Sequence, residues 1–373
     1  MVDEGTTGVA AAPMADDPKY WAGFHRVPYV GPTRIDRLLR RFGTLERAWS
    51  AAPAELRAVL DERSVESLLK TRSSLGLDAE MDRYKRAGIA VVTRVDAVYP
   101  RLLAEISAPP PVLYVRGNLL ERDEVAVAIV GTRRATGYGR EVTNRLATDL
   151  AAAGITIVSG LARGVDAVAH QAALRAGGRT IAVLGSGPDV IYPPEHHNLA
   201  EEIIANGAVL SDYPPGRKPD GPNFPARNRI ISGLSLGVVI AEAPVRSGAL
   251  ITADFAADQS REVFVVPGSI LSASGAGGLR LLRDGARLVT SAEDILEDLK
   301  LLGSQQRTAV QQPLPFESEP ERRLHALLTG DGQHIDDLAA ALNLPIGEVS
   351  GLLLTMELKG LVRNTGAQHY TRG

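Results

Sequence analysis

From Val125 to about Leu299 the chain alternates short, almost wholly apolar runs with longer amphipathic or alanine-rich stretches. The runs Val125–Val130, Ile155–Val158, Thr180–Leu184, Ala208–Leu210, Leu236–Ala241, Glu262–Val266 and Arg287–Val289 are rich in Val and Ile and lack a polar alternate. Such runs suit strands buried on both faces, hence a mostly parallel sheet with helical crossovers. The prediction is an extended, Rossmann-like, doubly wound α/β domain. Two short strands precede it, at Ile89–Val92 and Val112–Val115, the second after the helix-breaking Pro109-Pro110-Pro111.

Outside this region the period changes to that of helices. Residues 20–80 are expected to form a helical module. Its clearest segment runs from a tight turn at Val27–Pro32 through Thr33, a candidate cap, to Gly43, with Ile35, Leu38, Leu39 and Phe42 on one stripe. Arg34, Arg37, Arg40 and Arg41 lie largely off that stripe. Two readings stand: a helix-hairpin-helix (SAM-like) module that grips a phosphate, or a packing module with a solvated arginine face.

At the other end, residues 301–320 read as a glutamine- and proline-bearing linker. Residues 321–373 read as three helices (Glu321–Thr329, Ile335–Leu342, Ile346–Lys359) and a two-stranded wing around Thr365-Gly366, a winged helix. The third helix carries Glu348 and Glu357 against one lysine, so protein contact and DNA contact both remain open for it. The domain organisation expected is therefore a tail at 1–19, a helical domain at 20–80, the α/β domain at 81–300, the linker and the winged helix.

Composition narrows the chemistry. The chain has 373 residues, a formal net charge of −3 and no cysteine, which excludes disulfides, thiolate nucleophiles and zinc ribbons, and fits a cytoplasmic protein. Residues 1–19 lack the basic and apolar regions of a signal peptide, and no apolar run is long enough to span a membrane. A chain this close to neutrality needs a local basic patch to hold nucleic acid.

Ligands of open α/β sheets bind beyond the carboxyl ends of the strands. Here those ends read Gly131-Thr132-Arg133-Arg134, Ser159-Gly160-Leu161-Ala162-Arg163-Gly164, Gly185-Ser186-Gly187, Ser211-Asp212-Tyr213, Glu242 to Gly248, and Pro267-Gly268-Ser269. Gly160 and Gly164 permit close approach of backbone to a ligand, and a helix N-terminus follows them. Asn223 to Ile230, with Arg227, Asn228 and Arg229, opens another helix. Converging amides, hydroxyls and guanidiniums predict a polyanion site. No G-x-G-x-x-G, phosphate-loop lysine motif or G-x-S-x-G elbow is present, so no cofactor, bound metal or catalytic residue is expected. Asp166 and His170, spaced i, i+4, read as a structural brace, and Glu242 as either a partner for an arginine or base edge or a helix-end charge partner.

The ordered runs Ala128–Arg133, Ser159–Asp166 with Ala169-His170, Gly178–Gly185, Tyr192-Pro193, Phe224–Ile231, Glu242-Ala243, Ser247–Ala253 and Val266–Gly268, preceded by Tyr99-Pro100, Pro110–Tyr114 and Gly117-Asn118, resemble the bacterial DNA-processing protein A (DprA/Smf) family. The resemblance implies a non-enzymatic protein that binds and protects single-stranded DNA and hands it to the RecA recombinase in natural transformation. It implies DNA contacts at Arg133 and Arg179, with Ser159, Gly160, Arg163, Gly164, Arg227, Asn228, Arg229 and Ser247 in the same pocket. It implies a homodimer through Leu279–Leu288, with Leu279, Leu282 and Leu288 as candidates. The chain departs from the family at Arg179, often a lysine, and at Gly277–Leu282, where an asparagine-containing run is commoner. The alternative is a Rossmann-type enzyme that cleaves nucleoside monophosphates, although its P-G-G-x-G-T-x-x-E run is absent.

Overall fold

A computed structural model describes residues 16–301, 318–328, 332–358, 361–366 and 368–372. The described residues fall into two compact units, Met1–Leu301 and Leu302–Gly373.

The first unit is built on a nine-stranded sheet: β1 (Ala90–Thr93), β2 (Val112–Gly117), β3 (Ala126–Gly131), β4 (Thr156–Ser159), β5 (Thr180–Val183), β6 (Ala208–Ser211), β7 (Gly237–Glu242), β8 (Glu262–Val265) and β9 (Arg287–Leu288). Its spatial order is β1-β2-β6-β5-β4-β3-β7-β8-β9. From β6 to β9 all pairings are parallel; β1–β2 and β2–β6 are antiparallel. The doubly wound sheet is thus the one the apolar runs predict. The central runs are buried on both faces: Ala128 and Val130 pack with Val238 and Ile240 against the helices Asn223–Gly233 and Gly248–Asp258, while Val127 and Ile129 pack with Val239 against Gly137–Ala152 and Val165–Arg175; the Arg287–Val289 run, at the sheet edge, has Arg287 and Leu288 exposed.

The chain winds outward from β3 through β4 and β5 to β6, then returns to place β7 on the other side of β3. The order reverses between β3 and β7, and that switch point opens a crevice at their carboxyl ends.

Among the described residues six helices, Pro18–His25 through Leu77–Arg86, precede β1. Their core of Trp21, Phe24, Trp49 and Leu68 continues into Tyr84 and, on β2, Val112 and Tyr114. The second helix starts at Pro32 with no side-chain cap, not at a Thr33 cap; proline's fixed φ suits that first position. Gly43 ends it at φ +80°, as its position suggests. Residues 1–15 of the expected tail lie outside the described residues, but Pro18 and Lys19 already belong to a helix that Asp17 caps. Among the described residues no single helix is long and apolar enough to cross a membrane.

The second unit is a winged helix. The helices Glu319–Leu327, Ile335–Leu342 and Ile346–Leu358 enclose Leu324, Leu338, Val349 and Leu353. Its strands β10 (Gln333–His334), β11 (Val362–Gly366) and β12 (His369–Arg372) pair in the order β10-β12-β11, so a two-residue strand joins the expected pair. Most of the expected linker, residues 302–317, lies outside the described residues; 319 and 320 belong to the first helix.

Candidate functional site

The crevice beyond β3 and β7 has a volume of about 390 Å³. The end of β3 supplies Gly131 to Arg134, the β7 loop supplies Arg246, Ser247 and Gly248, and the helix Asn223–Gly233 supplies Phe224 and Arg227. Arg133, Arg134 and Arg246 are exposed, and among the described residues their guanidiniums have no ion-pair or hydrogen-bonding partner. Arg133 lies 5.5 Å from the centroid of the Phe224 ring, which in turn is 5.5 Å from that of Tyr192. Ser247 caps the helix Gly248–Asp258, whose first turn faces the crevice. A cationic rim beside a helix N-terminus and an aromatic face suits a phosphodiester strand with unstacked bases.

The glycine loops do a different job from the one their sequence suggests. A Cβ on Gly164 would lie 2.3 Å from the Thr132 carbonyl oxygen, and the residue holds φ +78°. Its freedom thus lets the β4 loop pack against the β3 loop. The Gly160 and Ala162 amides donate to Asp166 Oδ2 at 3.1 and 3.3 Å, so they are spent within the protein. Burial pushes the Asp166 carboxyl above its usual range, opposed by the nearby Arg227 and those amides. Asp166 and His170 brace separately: His170 Nδ1 is 2.6 Å from Thr180 Oγ1.

Glu242 takes the helix-end role left open by its sequence position. It is buried, receives the Thr136 N–H and hydroxyl, and lies so close to Gly139 that a Cβ there would be 2.1 Å from Oε2. The N-terminus of Gly137–Ala152, where a doubly wound fold commonly seats a nucleotide phosphate, thus holds the protein's own carboxylate, and at the start of Val165–Arg175 the Val165 amide donates to the Thr132 carbonyl.

The remaining candidates separate. Arg227 is buried; it donates through Nη1 to the Gly160 carbonyl at 2.8 Å and to that of Val183, and through Nε to Asn228 Oδ1 at 3.0 Å. A Cβ on Gly160 would strike this guanidinium. Burial lowers the Arg227 pKa to about 10. Arg227 therefore braces the crevice floor, and Asn228, reaching Gly248 O at 3.3 Å, ties it to the next helix. Arg229 pairs with Asp212 at 2.6 Å, beside a neighbouring hollow. Ser159 is buried, its hydroxyl donating to Ile129 O at 2.7 Å. Arg163 is exposed and pairs with Glu195 at 2.5 Å.

Arg179 does not join Arg133. It precedes β5, at the amino edge of the sheet, and both its Nε and Nη2 lie 2.8 Å from Asp123, in a pair whose side chains are 10% and 8% exposed. Nothing curls the loop round to the crevice, because Asp123 and the Asn118 carbonyl hold the guanidinium where the strand begins. Arg134 and Arg246 belong to the rim but were not singled out from sequence; the signal available was their position in two strand-end loops that converge at the switch point. Of the leucines near the sheet end, Leu282 packs against the core, Leu279 is half-buried, and Leu288 is 54% exposed on the edge strand β9.

Fold and site together define a class: an extended doubly wound α/β protein with a cationic switch-point crevice and a winged helix. Residues 90–300 match the family model for DNA recombination-mediator protein A, and residues 308–367 that for the DprA winged helix domain. The chain belongs to the DNA recombination-mediator protein A (DprA/Smf) family. Protein Smf of Synechocystis is 39% identical over 95% of this chain and 98% of its own length. The X-ray structure of DprA from Streptococcus pneumoniae is 34% identical, covers 75% of this chain and 97% of that one, and has a TM-score of 0.67. A Helicobacter pylori DprA structure, described as showing a single-stranded DNA binding mode, is 33% identical, covers 57% and 96%, and has a TM-score of 0.52.

Proposed function

We propose that this chain binds single-stranded DNA along the β3/β7 crevice and, as a cytoplasmic homodimer, passes the strand to a RecA-type recombinase during transformation or recombination, without turning over a substrate. The observation that carries the reading is the rim of Arg133, Arg134 and Arg246, free of ion-pair and hydrogen-bond partners among the described residues in a chain of net charge −3. Family membership and the strand-binding relative from Helicobacter pylori support it. Phe224 and Tyr192 favour a single strand, since a duplex offers no base face to an aromatic ring.

The alternative, hydrolysis of nucleoside monophosphates, needs a phosphate seat and a free acid. Glu242 occupies the N-terminus of Gly137–Ala152, the first amide of Val165–Arg175 donates to the Thr132 carbonyl, and the Glu242 and Asp166 carboxylates are both engaged by backbone amides. The binding reading is tested with single- and double-stranded oligonucleotides at two salt concentrations. Tighter, salt-sensitive binding of the single strand is expected; equal affinity for both forms, or steady release of free base from monophosphates, contradicts it.

A further inference from the structure

A pocket of about 330 Å³ opens at the carboxyl ends of β7 and β8, one strand beyond the crevice. β7 lies between the two places. Its Glu242 and the following Ala243 line the pocket, and Pro244, Arg246 and Ser247 of the same loop line the crevice. Neighbouring strands are about 4.8 Å apart, so a base can enter the pocket while its phosphate stays at the crevice rim. The Gly277 N–H donates to the Ala243 carbonyl at 2.9 Å, which holds the helix Ala276–Arg283 against this loop.

The walls suit a flat, uncharged ring. Ile240, Ala241, Val266 and Pro267 supply apolar surface, and Tyr138 closes one side, its hydroxyl donating to the Pro267 carbonyl at 2.7 Å. No lysine or arginine is among the lining residues, and their one charged group is the Glu242 carboxylate, so the pocket disfavours the phosphate that the crevice favours. The remaining polar groups include the hydroxyls of Ser272 and Ser274, half-buried and 2.7 Å apart. A hydroxyl donates or accepts as it turns, so these two can meet the edge of any base. The volume is at the lower end of the roughly 300–1,000 Å³ of small-ligand clefts, room for a ring rather than for a whole nucleotide.

The serines come from the loop 268–275, whose ends meet: a Cβ on Gly268 would lie 3.3 Å from the Gly275 Cα. Between these ends the Ser272 N–H donates to the Ser269 carbonyl at 3.0 Å. Between Ser269 and Ser272, which line the pocket, Ile270 is 85% and Leu271 92% exposed. Single exposed aliphatics are ordinary, but here two in succession carry the apolar wall of the pocket out into solvent.

We propose that this pocket takes one unstacked base of the strand held in the crevice, while Ile270 and Leu271 pack against the base that follows it. The inference rests on the strand-binding reading of the crevice and deepens it: the rim arginines grip phosphates, and the β7/β8 pocket grips a base without choosing among sequences.

The test uses the full chain and the anisotropy of oligo(dT), oligo(dC) and an abasic oligomer of the same length, each across a salt series. Ser272→Phe puts a ring into the pocket. It should weaken oligo(dT) and oligo(dC) alike by roughly tenfold, the size of one lost base contact, and leave the abasic oligomer as it was. The log–log salt slope should not change, because no phosphate contact is lost, whereas Arg133→Ala flattens it. The paired variant Ile270→Ser/Leu271→Ser, at exposed positions, should weaken the two base-bearing oligomers by roughly threefold or more. It decides alone if Ser272→Phe fails to fold. The inference is overturned, with the crevice intact, if a folded Ser272→Phe binds oligo(dT) like wild type while Arg133→Ala binds more weakly. It is overturned equally if Ser272→Phe weakens the abasic oligomer as much as oligo(dT), or if thymidine saturates the protein without displacing the strand, which would mark a free-nucleoside site. A paired variant that changes the sedimentation mass and leaves strand binding untouched gives the loop to a second copy of the chain, and also overturns it. If wild type binds no single strand, the crevice reading fails and the base pocket fails with it.

Discussion

Glu242 and Thr136 are joined twice: the Thr136 N–H reaches Oε2 at 2.9 Å and its hydroxyl reaches Oε1 at 2.8 Å. A carboxylate from the end of β7 thereby closes the first turn of the helix that follows β3. It complements the helix dipole and satisfies an amide at the terminus. Glu242→Ala leaves these donors unpaired in a buried place, and about 2 kcal/mol of stability should be lost. The emptied seat should then accept an anion. Thermal unfolding with and without inorganic phosphate checks this: the variant should gain stability from phosphate where wild type gains none, and equal responses would refute the seat.

Arg227 is expected to act on stability before binding. Arg227→Ala orphans the Gly160 and Val183 carbonyls and removes the cation nearest Asp166, at a cost of about 3 kcal/mol. The loss should depend on pH. Without Arg227 the Asp166 carboxyl, already raised by burial, rises further above its unfolded value of 3.8. Between the unfolded and folded values the native state holds the extra proton, so stability falls as pH rises through that window. Denaturant melts should therefore show a smaller deficit near pH 5 than at pH 7; an unchanged deficit would remove Arg227 as the counter-cation.

Acid should weaken the first unit through two imidazoles, the buried His170 and the half-buried His25. Burial lowers His25 to about 4 and His170 to about 3, against an unfolded value of 6.5. The unfolded chain then binds more protons between those limits, so stability is present above about 6.5 and is lost as pH falls toward the folded values. By pH 4 each ring removes about 3 kcal/mol of stability. His170→Gln should flatten the pH dependence measured by denaturant unfolding from pH 7 to 4.5, and a slope equal to that of wild type would contradict this.

Much of the fold was legible because buried parallel strands write themselves as unbroken Val and Ile runs: of the seven runs from Val125 onward, four begin on the first residue of a strand and three begin one residue before it. The site was legible as a neighbourhood rather than residue by residue. Strand ends located Arg133 and the Arg246 loop at one crevice. Sequence order could not reveal that Arg227 turns inward onto the Gly160 carbonyl, since an arginine at a helix start serves a brace or a ligand equally well. Nor could it reveal Asp123, a carboxylate 56 residues before Arg179 that pins it at the far sheet edge. The glycine of Ser159–Gly164 that accommodates Arg227 has the same spelling as one that accommodates a phosphate.

Assembly is tested at the sheet edge. Leu288 is exposed on β9, whose outer side has no strand partner among the described residues, whereas Leu282 is partly buried against the core. An isologous contact repeats each substitution on both subunits. Leu288→Glu should convert a dimer to a monomer by sedimentation with unchanged unfolding, while Leu282→Glu should lower stability first. A dimer that survives Leu288→Glu and Leu279→Glu lies elsewhere on the surface.

The most direct measurement compares Arg133→Ala with wild type for single-strand affinity across a salt series, with melting recorded on the same samples. Arg133 is exposed and unpaired among the described residues, so its removal should change stability by no more than about 0.5 kcal/mol. Affinity for every sequence should fall by roughly tenfold, and the log–log salt slope should flatten by about 0.7, the signature of one lost phosphate contact. Unchanged affinity and slope in a folded Arg133→Ala protein would contradict the crevice as the strand-binding site.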